Sequence, residues 1–422
     1  MGDELHRQGV FKTLLENDAT ARNCTVDGYL EEIQSMVDTM MSEGELFGHE
    51  AMRAMLLKVS TNRKGLLKFI TGGRSVGKTR LLKDLVKKHN ENPDGEIMVV
   101  YVNGRGGNLS EGIKRALVDL GGKKWYEVSD LRTIVEKILS TKDTVQPIAT
   151  ALLNATGVGG KMAPVALAAG CGVAELLARF AGGSEEQEVG LVELIAELAK
   201  KIGKYPCLIV DEANAIVMED NQALVSMFVK QTKEDRQMNV FLATSIHSYP
   251  WNMEKTYQIQ YSTSYYVEEL SPQTVWDILT NNVCMGGALA SAFIAAFGGN
   301  LQLMQSAIED LNTNPDRFTA LQSIRQHTEG TEALRTMAQG GCSDSTKESL
   351  LELGEKGVWV PSNDAESPKI VEKLIELGIA SKVNPLSLAK ASCLIPPDIV
   401  DDCLVPSSQA LRIEILSRFK PN

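Results

Sequence analysis

The sequence contains no CxxC pair among its seven cysteines, Cys24, Cys171, Cys207, Cys284, Cys342, Cys393 and Cys403. The odd count and scattered positions support neither a disulfide framework nor a zinc site, and a reducing compartment fits best. An excess of base is also missing, because 43 Lys and Arg against 54 Asp and Glu leave a net charge of −11. Nonspecific affinity for a nucleic-acid backbone comes from cations that release counterions, so a general phosphate-backbone binder is excluded, while a local basic patch is not. The N-terminus, MGDELHRQGVF, lacks an apolar signal core, and Gly2 lacks the Ser or Thr that myristoylation favours at the sixth position, where His6 stands. From these absences we expect an intracellular protein, cytoplasmic or nuclear. The longest suspicious apolar stretch, Met162 to Phe180, is interrupted by Glu175 and Arg179 and reads as buried helix, without membrane contact. No fixed-period repeat is apparent.

What is present is an average globular composition, 43% hydrophobic and 23% charged over 422 residues. That excludes disorder, collagen and coiled coil as the main architecture and allows two or three domains at about 150 residues each. Up to Glu43 the chain carries nine acids and three bases, and the spacing of Tyr29, Ile33 and Val37 predicts one amphipathic helix in an acidic leader, residues 1–44, packed on the main body. LLKFIT, IMVVYV, CLIVDE and NVFLATS are short apolar runs of buried-strand type, and a fifth, partly alternating segment is TYQIQYSTSYYVEEL. Between the first two, KTRLLKDLVKKHN places Leu81, Leu82, Leu85 and Val86 on one helical face. Strands alternating with helices predict a parallel α/β sheet covered on both faces, residues 45–270, with a large helical insert at 110–203. Residues 271–330 read as a helical lid. Residues 331–422 read as a winged-helix-like module, whose near-balanced charge, 10 bases and 13 acids from residue 330 on, lacks the basic stripe of a nucleic-acid reader.

The chemistry is concentrated at strand ends. GGRSVGKT, Gly72 to Thr79, matches GxxxxGK[ST] directly after one buried strand and at the start of a helix. Glycines let such a loop turn its amides inward, and the helix N-terminus adds favourable potential for phosphate. Lys78 would reach the β and γ phosphates, and the Thr79 hydroxyl would ligate magnesium. In CLIVDEAN, Asp211 and Glu212 follow another buried strand, where one acid can hold magnesium through water and the next can orient and deprotonate an attacking water. Thr244 and Ser245 end the NVFLATS strand, where a hydroxyl could sense the γ phosphate or simply cap the strand. His247 follows in the loop, and Arg74 and Arg105 are the candidate cations in cis. Upstream, ELFGHE sets Leu46, Phe47 and Gly48 before a helix, as an apolar wall for an adenine ring.

These segments resemble the P-loop ATPases of the STAND and archaeal-ATPase branch of the AAA+ superfamily, including the ATPase parts of Crinkler and retrotransposon hot spot proteins. GGRSVGKT is similar to their Walker A motif, CLIVDEAN to Walker B, FLATSIHSYPW to the sensor-one strand, and ELFGHE to the hhGRE adenine motif with His49 in place of Arg. VVYVNGRGG is similar to their strand-plus-Arg stretch, and AFGGNLQLM to the GG(x)P element of the lid, without its proline. The resemblance implies ATP and Mg2+ as cofactors. It places the nucleotide against Gly72, Gly73, Arg74, Ser75, Val76, Gly77, Lys78, Thr79, Arg80, Phe47 and Gly48, and the metal at Thr79 and Asp211. Glu212, Lys78, Ser245 and Thr244 are the expected catalytic groups. A nucleotide-dependent switch that engages a protein partner through the lid or the C-terminal module is the expected role. A DNA-loading or remodelling ATPase and a non-hydrolysing nucleotide scaffold are the alternatives.

Overall fold

The computed structural model describes residues 2–43, 48–92, 95–106, 203–215, 222–257, 263–313, 331–356, 358–362, 366–377, 379–383, 403–406 and 409–419, together with 109, 112, 113, 116, 191–196, 199 and 200, which are helical. Most of the expected insert at 110–203, the whole Met162 to Phe180 stretch, and Leu46 and Phe47 lie outside these residues.

The strands that position the site are β1 (Leu67–Thr71), β2 (Ile97–Asn103), β3 (Tyr205–Asp211), β4 (Asn239–Ala243) and β5 (Thr263–Tyr266). They form one sheet in the order β2-β3-β4-β1-β5, and every pairing is parallel. The apolar runs read as strands because both faces are covered. Leu67 and Phe69 face one core with Val100, Leu208 and Val240, while Ile70 faces the other with Val99, Ile209 and Phe241. Parallel strands of this kind place all their C-terminal ends, and hence any ligand crevice, on one edge of the sheet. Five strands were expected and five are present, but the fifth is shorter than its sequence pattern. Thr256 and Tyr257 close a helix, α6 (Tyr249–Tyr257), and only Thr263–Tyr266 pairs with β1.

Two helices line the sheet before and after the first strand, α3 (Glu50–Ser60) and α4 (Lys78–Asn90). The acidic leader contains two helices where one was expected, α1 (Gly2–Ala21) and α2 (Val26–Glu43). Phe11, Leu15 and Ala19 of α1 are buried, four residues apart on one helical face, a periodicity that the polar residues around them mask. After α5 (Gln222–Val229) and β4, the chain beyond β5 forms α7 (Pro272–Asp277), α8 (Gly287–Phe297) and α9 (Leu301–Thr313). Ser271 caps α7 by accepting from the Thr274 amide at 3.1 Å. The leader shares one apolar core with these helices, in which Tyr29, Leu30, Ile33 and Val37 meet Leu289, Phe293, Met304 and Ile308. The final described part packs α10 (Thr331–Thr336), α11 (Asp344–Lys356), α12 (Ser367–Glu376) and α13 (Gln409–Phe419) around an antiparallel pair, β6 (Ala380–Val383) and β7 (Cys403–Pro406). Trp359 bridges to Leu404 in antiparallel fashion. Among the described residues no single helix is long and apolar enough to cross a membrane.

Candidate functional site

The C-terminal tips of β3, β4 and β1 are neighbours along one edge of the sheet. The loop from Gly72 to Gly77 joins β1 to α4, and Lys78 is the first residue of that helix. Gly72 has φ 152° and packs so tightly that a Cβ would lie 2.4 Å from the Val267 carbonyl, and Gly77, at φ 98°, adopts a left-handed turn before the helix. Both positions therefore need glycine. Arg74 and Ser75 form the exposed tip, whereas Lys78 is buried, its Nζ donating to the carbonyls of Gly72 at 2.9 Å and Gly73 at 2.7 Å. The ammonium is thus held inside the loop by its own backbone. His49 stands behind the loop, its Nε2 2.8 Å from the Val76 carbonyl. Burial lowers its pKa, so the neutral ring that donates through Nε2–H is the form the contact selects.

The acids follow from β3. Asp211 is 2% exposed. Its Oδ1 accepts from the Glu212 amide at 3.1 Å and its Oδ2 from the Tyr101 hydroxyl at 2.8 Å. Glu212 lies just past the strand with φ 53°, a left-handed conformation that costs a non-glycine residue about 1–3 kcal/mol. That turn leaves its carboxylate beside two groups: Ser245 Oγ donates to Oε2 at 3.5 Å, and Arg105 approaches Oε1 at 3.6 Å. Arg105 is 73% exposed, so this ion pair is screened and contributes orientation more than stability.

At the tip of β4 the two hydroxyls part company. Thr244 was expected to serve catalysis with Ser245, but it is fully buried, donates to Asn214 Oδ1 at 2.7 Å and accepts from the Ile246 amide at 3.0 Å. Its hydroxyl fixes the turn, leaving Ser245 as the one that meets Glu212. His247 is buried near Lys78, and burial first, then the Lys78 charge, pushes its pKa down to about 3. It stays neutral beside the ammonium.

Two further residues expected against the nucleotide, Arg80 and Gly48, are each held by a neighbour of their own. The Arg80 guanidinium donates to the Met41 carbonyl of α2. Gly48 packs against Leu270 and Thr274, where a Cβ would lie 2.7 Å from Leu270 Cδ2. Three contacts were not anticipated: Tyr101 on Asp211, Asn214 on Thr244, and Asn300 Nδ2 donating to the Arg74 carbonyl at 3.0 Å. The first had a visible trace, a polar-tipped aromatic one residue from the end of the apolar IMVVYV run.

The donor set suits magnesium, which takes hard oxygen ligands, keeps much of its water and usually relies on one or two protein groups plus phosphates. Thr79 and Asp211 offer a hydroxyl and a carboxylate. Among the described residues no Lys or Arg pairs with Asp211, and no cluster of three or more His, Cys, Asp or Glu side chains forms a protein-only metal cage.

A family model described as an ATPase domain predominantly from Archaea matches residues 50–283. The chain belongs to this family of ATPase domains. The matched region runs from the start of α3 through β5 and into the helices beyond it, so it holds the loop, the acids and Ser245. In overall structure this ATPase domain protein is similar to the Walker-type ATPase of Pyrococcus abyssi, with 12% identity, 88% of this chain and 96% of that one covered, and a TM-score of 0.44. It is also similar to the Orc1 protein of Aeropyrum pernix, solved in complex with DNA, with 13% identity, coverage of 88% and 93%, and a TM-score of 0.36. No curated protein matches the sequence.

Proposed function

We propose that this ATPase domain protein binds ATP with magnesium and hydrolyses it, and that the nucleotide sets the lid relative to the sheet so that the protein works as a switch. The observation that carries the proposal is the meeting, at three adjacent strand tips, of the Lys78 loop with the Asp211 and Glu212 carboxylates and the Ser245 hydroxyl. The loop amides and the α4 N-terminus bind phosphate oxygens, and Lys78 leaves the Gly72 and Gly73 carbonyls to join them. Thr79 and Asp211 hold the cation. Magnesium, when bound, neutralises phosphate charge as it develops. Glu212 orients a water and takes its proton, and Ser245 and Arg105 keep that carboxylate turned toward the crevice. Proton removal by one positioned side chain is worth about 100-fold to 10,000-fold in rate. The lid enters through Asn300, which touches the loop backbone directly.

The test is phosphate release from ATP and magnesium by the purified chain and two variants. Lys78→Ala should lose nucleotide binding, and Glu212→Gln should retain binding while turnover drops by about 100-fold or more. Equal turnover in Glu212→Gln and the unaltered chain would remove Glu212 as the base. ATP binding with no measurable release in any of them would leave a nucleotide scaffold.

A further inference from the structure

Around the acids, one side chain touches the carboxylate assigned to the cation without having been given any task. Tyr101 lies on β2, paired with Ile209, and Asp211 is two residues further along β3. A side chain spanning that diagonal must be long, which an aromatic ring provides. The residue directly paired with Asp211 is Asn103, but its Oδ1 accepts from the Arg105 amide at 3.1 Å and so caps the turn after β2. Reaching the carboxylate falls to Tyr101, whose hydroxyl lies 2.8 Å from Asp211 Oδ2.

A carboxylate rotates about its last bond unless both oxygens are held. Here the Glu212 amide holds Oδ1 and Tyr101 holds Oδ2, and both are neutral donors. A cationic partner would fix the carboxylate equally well while cancelling the charge that attracts a metal. Two neutral donors fix it and leave the charge in place. Two of its roughly four acceptor positions then remain for water of the cation shell.

We propose that Tyr101 is a positioning residue for magnesium, setting through its hydroxyl the orientation in which Asp211 meets the hydrated cation. This rests on the ATPase reading above.

The experiment measures ATP affinity of the full chain across a magnesium series and in EDTA, with manganese resonance titration of the ATP-bound protein as a second readout. In Tyr101→Phe, which keeps the ring, affinity in EDTA should match the unaltered chain. The magnesium or manganese concentration for half-saturation should rise by about tenfold, the scale of one hydrogen bond to a charged group. Turnover should recover at saturating magnesium. Adding Tyr101→Phe to Asp211→Asn should change the cation titration no further, because the phenol acts only through that carboxylate. Unchanged cation titration in Tyr101→Phe, or a full additional shift in the double variant, would overturn the proposal while leaving ATP binding intact. An unaltered chain that binds no ATP in any condition would instead remove the ATPase reading and this proposal with it.

Discussion

His247 is a neutral base buried next to a fixed cation, and that couples the stability of the protein to pH. Its pKa is about 3 in the folded chain against 6.5 in the unfolded one, so between those values the unfolded chain binds the extra proton. The sign follows: its contribution is complete above pH 6.5 and is lost progressively as pH falls toward 3. Between pH 7 and pH 5 this one residue removes about 2 kcal/mol. Denaturant unfolding at the two pH values should show that loss, with His247→Gln flattening the slope by about the same amount. His49 and His89, both lowered by burial, add to the slope in the same direction and remain in the variant. An unchanged slope in His247→Gln would mean the ring is solvated. At this scale the sequence was informative wherever the chemistry is contiguous. GGRSVGKT and DEAN each spell out their own geometry within a few residues. The contacts that escaped reading join residues 110 apart, Tyr101 to Asp211, or 226 apart, Asn300 to Arg74. No local pattern constrains such pairs, and the division of labour between Thr244 and Ser245 depends on Asn214, 30 residues before the first of them.

Among the elements, α9 shows how a departure from the expected lid pattern acquires a purpose. The proline position of GG(x)P is replaced by the NLQ of GGNLQLM, and Asn300 uses both ends of its amide. Its Oδ1 accepts from the Leu303 amide at 3.2 Å, in the manner of a helix N-cap, and its Nδ2 donates to the Arg74 carbonyl at 3.0 Å. Serine can reproduce the cap but is too short for the loop. Asn300→Ser should therefore lose only the loop contact, about 0.5–1.5 kcal/mol, and Asn300→Ala should cost about 1 kcal/mol more. Chemical unfolding of the two variants separates the terms, and equal losses would mean that the cap contributes nothing. The strands were legible because two-sided burial leaves continuous apolar runs. β5 was overdrawn because α6 and the strand that follows share a Tyr-rich alternating stretch, and alternation cannot tell a helix end from a strand start.

At the scale of the whole molecule, the acidic leader packs on α8 and α9 in one core. Phe11 packs against Phe293 as a tilted ring pair with centroids 5.1 Å apart, and Asp18 accepts from both the Tyr29 hydroxyl and the Gly286 amide. Gln305 of α9 donates to Asp38 of α2. The excess of acid in this segment told nothing of that attachment, because the apolar residues that make it are a minority spread over two helices. Among the described residues this combined body meets the Gly72–Gly77 loop through Asn300 on Arg74, and α4 through Arg80 on Met41. A nucleotide that rearranges the loop must then act on leader and lid together. The prediction is that they unfold as one unit. Ile33→Ala, at a fully packed position of α2, should destabilise by about 2–5 kcal/mol. Amide hydrogen exchange should show the loss as faster exchange in α2, α8 and α9 alike, with β1, β3 and β4 retaining their protection, as expected for a sub-global opening. Faster exchange confined to α2 would make the leader an appendage on an independent lid. Equal acceleration in the sheet would mean that sheet, leader and lid open only together, leaving the nucleotide no separate body to move.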